Sequence, residues 1–165
     1  MTVFEHSRPA AKRPTNSTQA YEAYLRGRYL VVQRTQTSVA GAVKEFSEAI
    51  RLDSDFALAY AELAITYTLS INDQYGELTW PEAQALSIPL ARKAMELDPM
   101  LAASHAAAGM VIWNVAPPPE TFTHFENALR LDPNNAQILH WLGVAYDYAG
   151  DYKKVGSTRN RVGEF

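Results

Sequence analysis

Residues Ala128-Leu129-Arg130-Leu131-Asp132-Pro133-Asn134 read ALRLDPN. Nearly the same phrase stands at Ala94–Met100, as AMELDPM, and at Ala49–Asp55, as AIRLDSD. The copies start 45 and 34 residues apart. Spacings in this range mark a repeat architecture, and about 34 residues hold one helix-turn-helix unit, two helices of ~12–14 residues plus turns. The longer spacing is the same unit with eleven extra residues. One helical hairpin cannot bury its own apolar face, so copies stack into a continuous core.

Each phrase reads as the end of a helix, and Asp-Pro as the joint to the next one. Proline is tolerated in a first helical turn, and the aspartate before it can accept from free N–H groups there. After each joint an apolar stripe recurs in steps of three and four: Phe56, Tyr60, Leu63, Tyr67; then Leu101, His105, Ala108, Ile112; then Ile138, Leu139, Leu142, Tyr146. Ala64, Gly109 and Gly143 follow the central stripe residue and are small enough to let a partner helix approach. The phrase-bearing helices are expected over 39–52, 80–97, 119–131 and 151–162, the second with a Thr79–Glu82 capping box and a kink at Pro89. An earlier helix is expected from Gln19 to about Arg34, capped by Asn16 or Ser17. The extra residues, SINDQYGELT before Trp80, lengthen a hairpin loop, and Pro117-Pro118-Pro119 breaks one helix and opens the next.

Composition narrows the function. There is no cysteine, so disulfides and thiolate metal sites are excluded. No apolar run reaches the ~18 residues that span a bilayer, and the N-terminus lacks a signal-peptide core, so the reading is cytoplasmic with no membrane partner. The formal charge of −3 is unevenly spread: residues 1–34 carry +4, residues 35–150 carry −9 and residues 151–165 carry +2. An acidic middle is a poor surface for nucleic acid. The histidines, His6, His105, His124 and His140, form no zinc motif, and there is no phosphate loop and no G-x-S-x-G. Asp73 and Glu77 read as solvated loop charges. A non-enzyme without metal or cofactor is expected.

The pattern resembles the tetratricopeptide repeat over roughly residues 19–155. Gly143, Tyr146, Gly150 and Tyr152 stand where that motif has its packing glycine, aromatic and turn; Phe125, Ala128 and Pro133 match its second helix and joint. Phe46 and Ala49, then Tyr60, Leu63, Tyr67, Ala94 and Pro99, match in earlier units. More narrowly, AYEAYLRGRYL at 20–30 and KEFSEAIRLDSDFALAYAELAITY at 44–67 resemble repeat arrays of bacterial signalling proteins, appended there to winged-helix, nucleotide-cyclase or serine/threonine-kinase domains. The implied fold is all-α, an α-solenoid of about three and a half hairpins. The expected layout is a flexible basic tail over 1–16, the repeat domain over 17–155 and a frayed or truncated segment over 156–165. In that last segment Val155, Arg159 and Val162 depart from the small and aromatic residues of the motif.

The resemblance also implies a site. First helices of such units line a concave groove, which here places Leu58, Ala61, Ile65, Thr68 and Leu69; Ala103, Ala106, Met110, Trp113 and Asn114; and Gln137, His140, Val144, Asp147 and Tyr148 along it. The set is mostly apolar with aromatic anchors. The family's clamp for a C-terminal carboxylate is absent, since Ala61, Ile65, Glu62, Ala103 and Ala107 stand in its places. The expected partner is therefore a protein or peptide presenting an apolar or helical segment. The alternative is a second copy of the chain, a homodimer through the poorly capped C-terminal end.

Overall fold

A computed structural model describes residues 14–71, 75–113 and 117–163, with side chains through Thr158. The expectations for residues 1–13, for Asp73 and Asn114, and for the side chains of Arg159 and Val162 lie outside the described residues.

Ser17 opens the first helix, α1 (Thr18–Val31), its hydroxyl accepting from the Ala20 N–H at 3.1 Å. That helix stops three residues short of Arg34, which takes a left-handed φ of 52° in the turn that follows. A reciprocal box then starts α2 (Gln36–Leu52): the Thr35 hydroxyl accepts from the Ser38 N–H and the Ser38 hydroxyl from the Thr35 N–H, both at 3.1 Å. This box sets the start three residues ahead of the expected one. The remaining helices are α3 (Ala57–Leu69), α4 (Trp80–Leu97), α5 (Ala102–Ile112), α6 (Pro119–Leu131), α7 (Ala136–Tyr148) and α8 (Tyr152–Gly163). At the head of α4 the Glu82 carboxylate accepts from the Thr79 N–H at 2.8 Å and from its hydroxyl at 2.6 Å, which holds that carboxyl below its ordinary value. Pro89 lies inside α4, which is one helix from end to end.

The helices pair as α1–α2, α3–α4, α5–α6 and α7–α8, and successive hairpins meet through α2 and α3, α3 and α5, α4 and α5, and α6 and α7. Among the described residues the fold is all-α, a tetratricopeptide-type solenoid of four hairpins. The fourth is completed by α8, whose Val155 is buried with Leu139 and Leu142.

The expected close approaches are present. A Cβ on Gly109 would lie 3.1 Å from the Phe125 ring, and one on Gly143 would lie 3.1 Å from the Thr158 hydroxyl. Gly27 on α1 makes a tighter contact than either, 2.6 Å from the Phe46 ring. Phe46, Phe56 and Phe125 are fully buried. Around them the core runs unbroken: Leu90 packs against both the first and the middle clusters, and Met110 and Trp141 against both the middle and the last.

The joints differ from expectation in one respect. Asp53, Asp98 and Asp132 are C-caps of the preceding helices, their N–H groups bonded to the carbonyls of Ala49, Ala94 and Ala128, and do not cap the helices that follow. Two more residues are needed to reverse the chain, so the next N-caps are Phe56, Leu101 and Asn135. The aspartate side chains instead hold the turn: Asp53 accepts from the Asp55 N–H and Asp98 from the Met100 N–H, each at 3.0 Å. Among these three N-caps only Asn135 uses its side chain, accepting from the Ile138 N–H at 3.1 Å.

Candidate functional site

Gly27, Ala64, Gly109 and Gly143 share one register position in α1, α3, α5 and α7. Counting from it superposes the four helices. Tyr21, Leu58, Ala103 and Gln137 then correspond, as do Leu25, Glu62, Ala107 and Trp141, and as do Arg28, Ile65, Met110 and Val144. The inner face therefore includes α1, which the sequence reading left out of the groove because no copy of the phrase precedes it.

A pocket of about 460 Å3 opens on this face. Tyr24 and Arg28 come from α1, Leu58, Glu62 and Ile65 from α3, Ala103 and Ala106 from α5, and Gln137, Ile138 and Trp141 from α7. The joint Asp132–Ala136 closes one side. Of the expected groove residues, Leu58, Ile65, Ala103, Ala106 and Gln137 are thus brought together. Ala61 is fully buried and serves packing. Leu69 is half-buried against the first cluster, and Met110 against the last two.

Trp113 is a wedge between hairpins. Its ring stands edge-on to Phe125 at 6.3 Å and to Tyr148 at 5.8 Å, and its carbonyl accepts from the Trp80 indole N–H at 3.5 Å. His140 and Asp147 are exposed and Val144 is half-buried, and Tyr148 has 64% of its surface exposed; none of these four lines the pocket. Glu62 and Trp141, two residues before the register position, do line it. Glu62 stands at a place of the absent carboxylate clamp, whereas Trp141 is not among the expected groove residues.

The pocket has a polar wall. Arg28 donates to the Glu62 carboxylate at 3.0 Å and to the Tyr24 hydroxyl at 2.9 Å. Burial pushes the Glu62 carboxyl up, with Arg28 opposing, while the Glu62 charge pushes Arg28 up. The Tyr24 hydroxyl is pushed up to about 12, by burial first and then by Glu62. The trio cross-braces α1 and α3 at the groove wall.

His105 on α5 and His124 on α6 meet inside the third hairpin, their rings tilted by 42° with centres 5.9 Å apart. The His105 Nε2 lies 3.1 Å from the Pro99 carbonyl, and neither Nδ1 has a hydrogen-bond partner among the described residues. Burial, and then the charge of His105, holds His124 below its ordinary value, with Glu120 opposing. A depressed histidine favours the neutral ring in the fold. Its contribution is present in full above the unfolded pKa of about 6.5 and is lost as pH falls through the folded value. The melting temperature is therefore expected to hold from about pH 8 to about pH 7 and to fall below about pH 6.5. His124→Gln should flatten that fall, and a set of thermal melts across pH checks it.

Among the described residues no group of three or more His, Asp or Glu is placed to hold a metal ion. No helix among them is long and apolar enough to cross a membrane. The family model for the tetratricopeptide repeat matches residues 124–155, from the second half of α6 to the start of α8. A tetratricopeptide-type helical-repeat region is therefore present. A search of curated proteins finds no match to this chain.

Proposed function

We propose that this chain is a non-catalytic protein–protein interaction module, a scaffold that takes an apolar or helical partner segment in its concave groove. The observation that carries the reading is the open pocket on the inner face, where Leu58, Trp141 and the edges of the buried Ile65 and Ile138 present apolar surface beside polar surface of about equal extent. Pockets of this kind, with an aromatic anchor among aliphatic residues, bind peptide segments. The likeness of residues 20–30 and 44–67 to repeat arrays of bacterial signalling proteins supports a place in a bacterial signalling or regulatory system.

The test uses immobilised protein and a lysate of the source organism, beside a Leu58→Ala, Trp141→Ala control shown by circular dichroism to stay helical. A protein held by the wild type is expected to bind the control at least about tenfold more weakly, the usual loss for a buried aromatic anchor. Retention unchanged by the control would overturn the groove reading. Trp113 and Met110 are unsuitable for this test because neither lines the pocket.

The second reading is self-assembly without a foreign ligand. Its support is the C-terminal end, where Tyr148 and Tyr152 have 64% and 73% of their surfaces exposed. Light scattering that gives a monomer up to high micromolar concentration would remove it.

A further inference from the structure

The cations of hairpins two to four are sorted by side, while the second helices carry carboxylates as well. Helices α3, α5 and α7 contain no lysine or arginine. The basic residues of hairpins two to four lie on the second helices: Arg92 and Lys93 on α4, Arg130 on α6, and Lys153, Lys154, Arg159 and Arg161 on α8. On α1 both arginines are already paired, Arg26 with Glu45 at 2.8 Å and Arg28 with Glu62 at 3.0 Å. Carboxylates, by contrast, rim the groove. Asp132 lines the main pocket. A second hollow of about 170 Å3 shares Leu58 and Leu101 with it and is lined by Asp55 and Asp98. The joints thus set an aspartate row along one edge of an apolar floor, with no unpaired cation from the inner helices to answer it.

We infer that the groove selects a basic amphipathic segment of a partner protein: a helix whose apolar face rests on Leu58, Ile65 and Trp141 while its Lys or Arg side chains reach Asp55, Asp98 and Asp132. This rests on the groove reading above and adds the sign of the ligand. Complementary rim charges act mainly on encounter and on selection between partners, and salt weakens them. An acidic segment with the same apolar face would meet the carboxylates at close range and be rejected.

Two fluorescein-labelled model peptides of about 18 residues decide the matter, long enough for five helical turns. One is Leu/Lys and the other Leu/Glu, with the leucines on the same face. Anisotropy titrations on the full chain are expected to give an affinity for Leu/Lys at least about tenfold higher at 50 mM salt, with the gap closing toward 500 mM. The triple variant Asp55→Asn, Asp98→Asn, Asp132→Asn keeps a side-chain oxygen at each turn and removes the charge. It should lose most of the preference while still binding through the apolar floor. Equal affinities, or a preference for Leu/Glu, would overturn the inference and leave the groove reading standing. Binding of neither peptide would sink both. A Leu/Lys preference indifferent to Leu58→Ala, Trp141→Ala would place the attraction elsewhere on the acidic surface and also overturn it.

Discussion

Phe125→Ala is expected to lower stability by about 3–5 kcal/mol, the upper class of core truncations. The ring is fully buried and is flanked by Trp113 and Trp141, each with its centre 6.3 Å away. On its α5 side stands Gly109, which has no side chain to move into the space. Two braced indoles and a glycine cannot collapse, so most of the cavity persists and its cost adds to the lost transfer energy. A chain of this size loses roughly 2–4 °C per kcal/mol, so the melting temperature should fall by about 6–20 °C. The loss should also be local, because each hairpin of a solenoid contacts only its neighbours. Hydrogen exchange is the discriminating measurement: amides of α5 to α8 should open well before those of α1 and α2. Uniform loss of protection would show that the four hairpins unfold as one unit.

Gly27→Val is expected to cost about 3 kcal/mol, at the high end for overpacking. A Cβ there would lie 2.6, 2.7 and 2.9 Å from three ring carbons of Phe46. That ring cannot retreat, since it is fully buried with its centre 5.9 Å from that of Tyr24. The gain from replacing a helical glycine, at most about 1 kcal/mol, does not offset three simultaneous clashes. The mechanism is tested by Phe46→Leu in the same chain. If steric conflict is the cause, the two substitutions should be far from additive, with the second recovering a large part of the first, as residues in contact do. Additive losses in urea unfolding would point instead to a backbone role for Gly27.

Much of the architecture was readable because one phrase repeats in phase. The helices beginning at Trp80 and Pro119 start where the sequence places them, since a capping box and a proline act through neighbours a few residues away. What stayed hidden depends on neighbours distant in sequence. Gly27 gains its meaning only when Phe46 lies against it, nineteen positions along. Trp113 has the period of a groove residue, yet the turn after α5 swings it between hairpins, against Phe125 and Tyr148. Asp53, Asp98 and Asp132 were rightly placed at joints and given the wrong partner, because a cap before a helix and a cap after one use the same residue type. The polar wall of the groove was missed for a simpler reason: Arg28 and Glu62 are ordinary surface residues until α1 and α3 stand side by side.

The distribution of indoles gives the molecule an optical handle. Trp80 and Trp113 are joined to each other at the junction of the second and third hairpins, while Trp141 alone forms part of the groove wall. Emission from the first pair therefore follows the integrity of the stack, and emission from the third follows what lies beside it. Replacing Trp80 and Trp113 by phenylalanine would leave a single fluorophore facing the groove. A shift in its colour on adding a ligand, with circular dichroism unchanged, would report occupancy without any attached label.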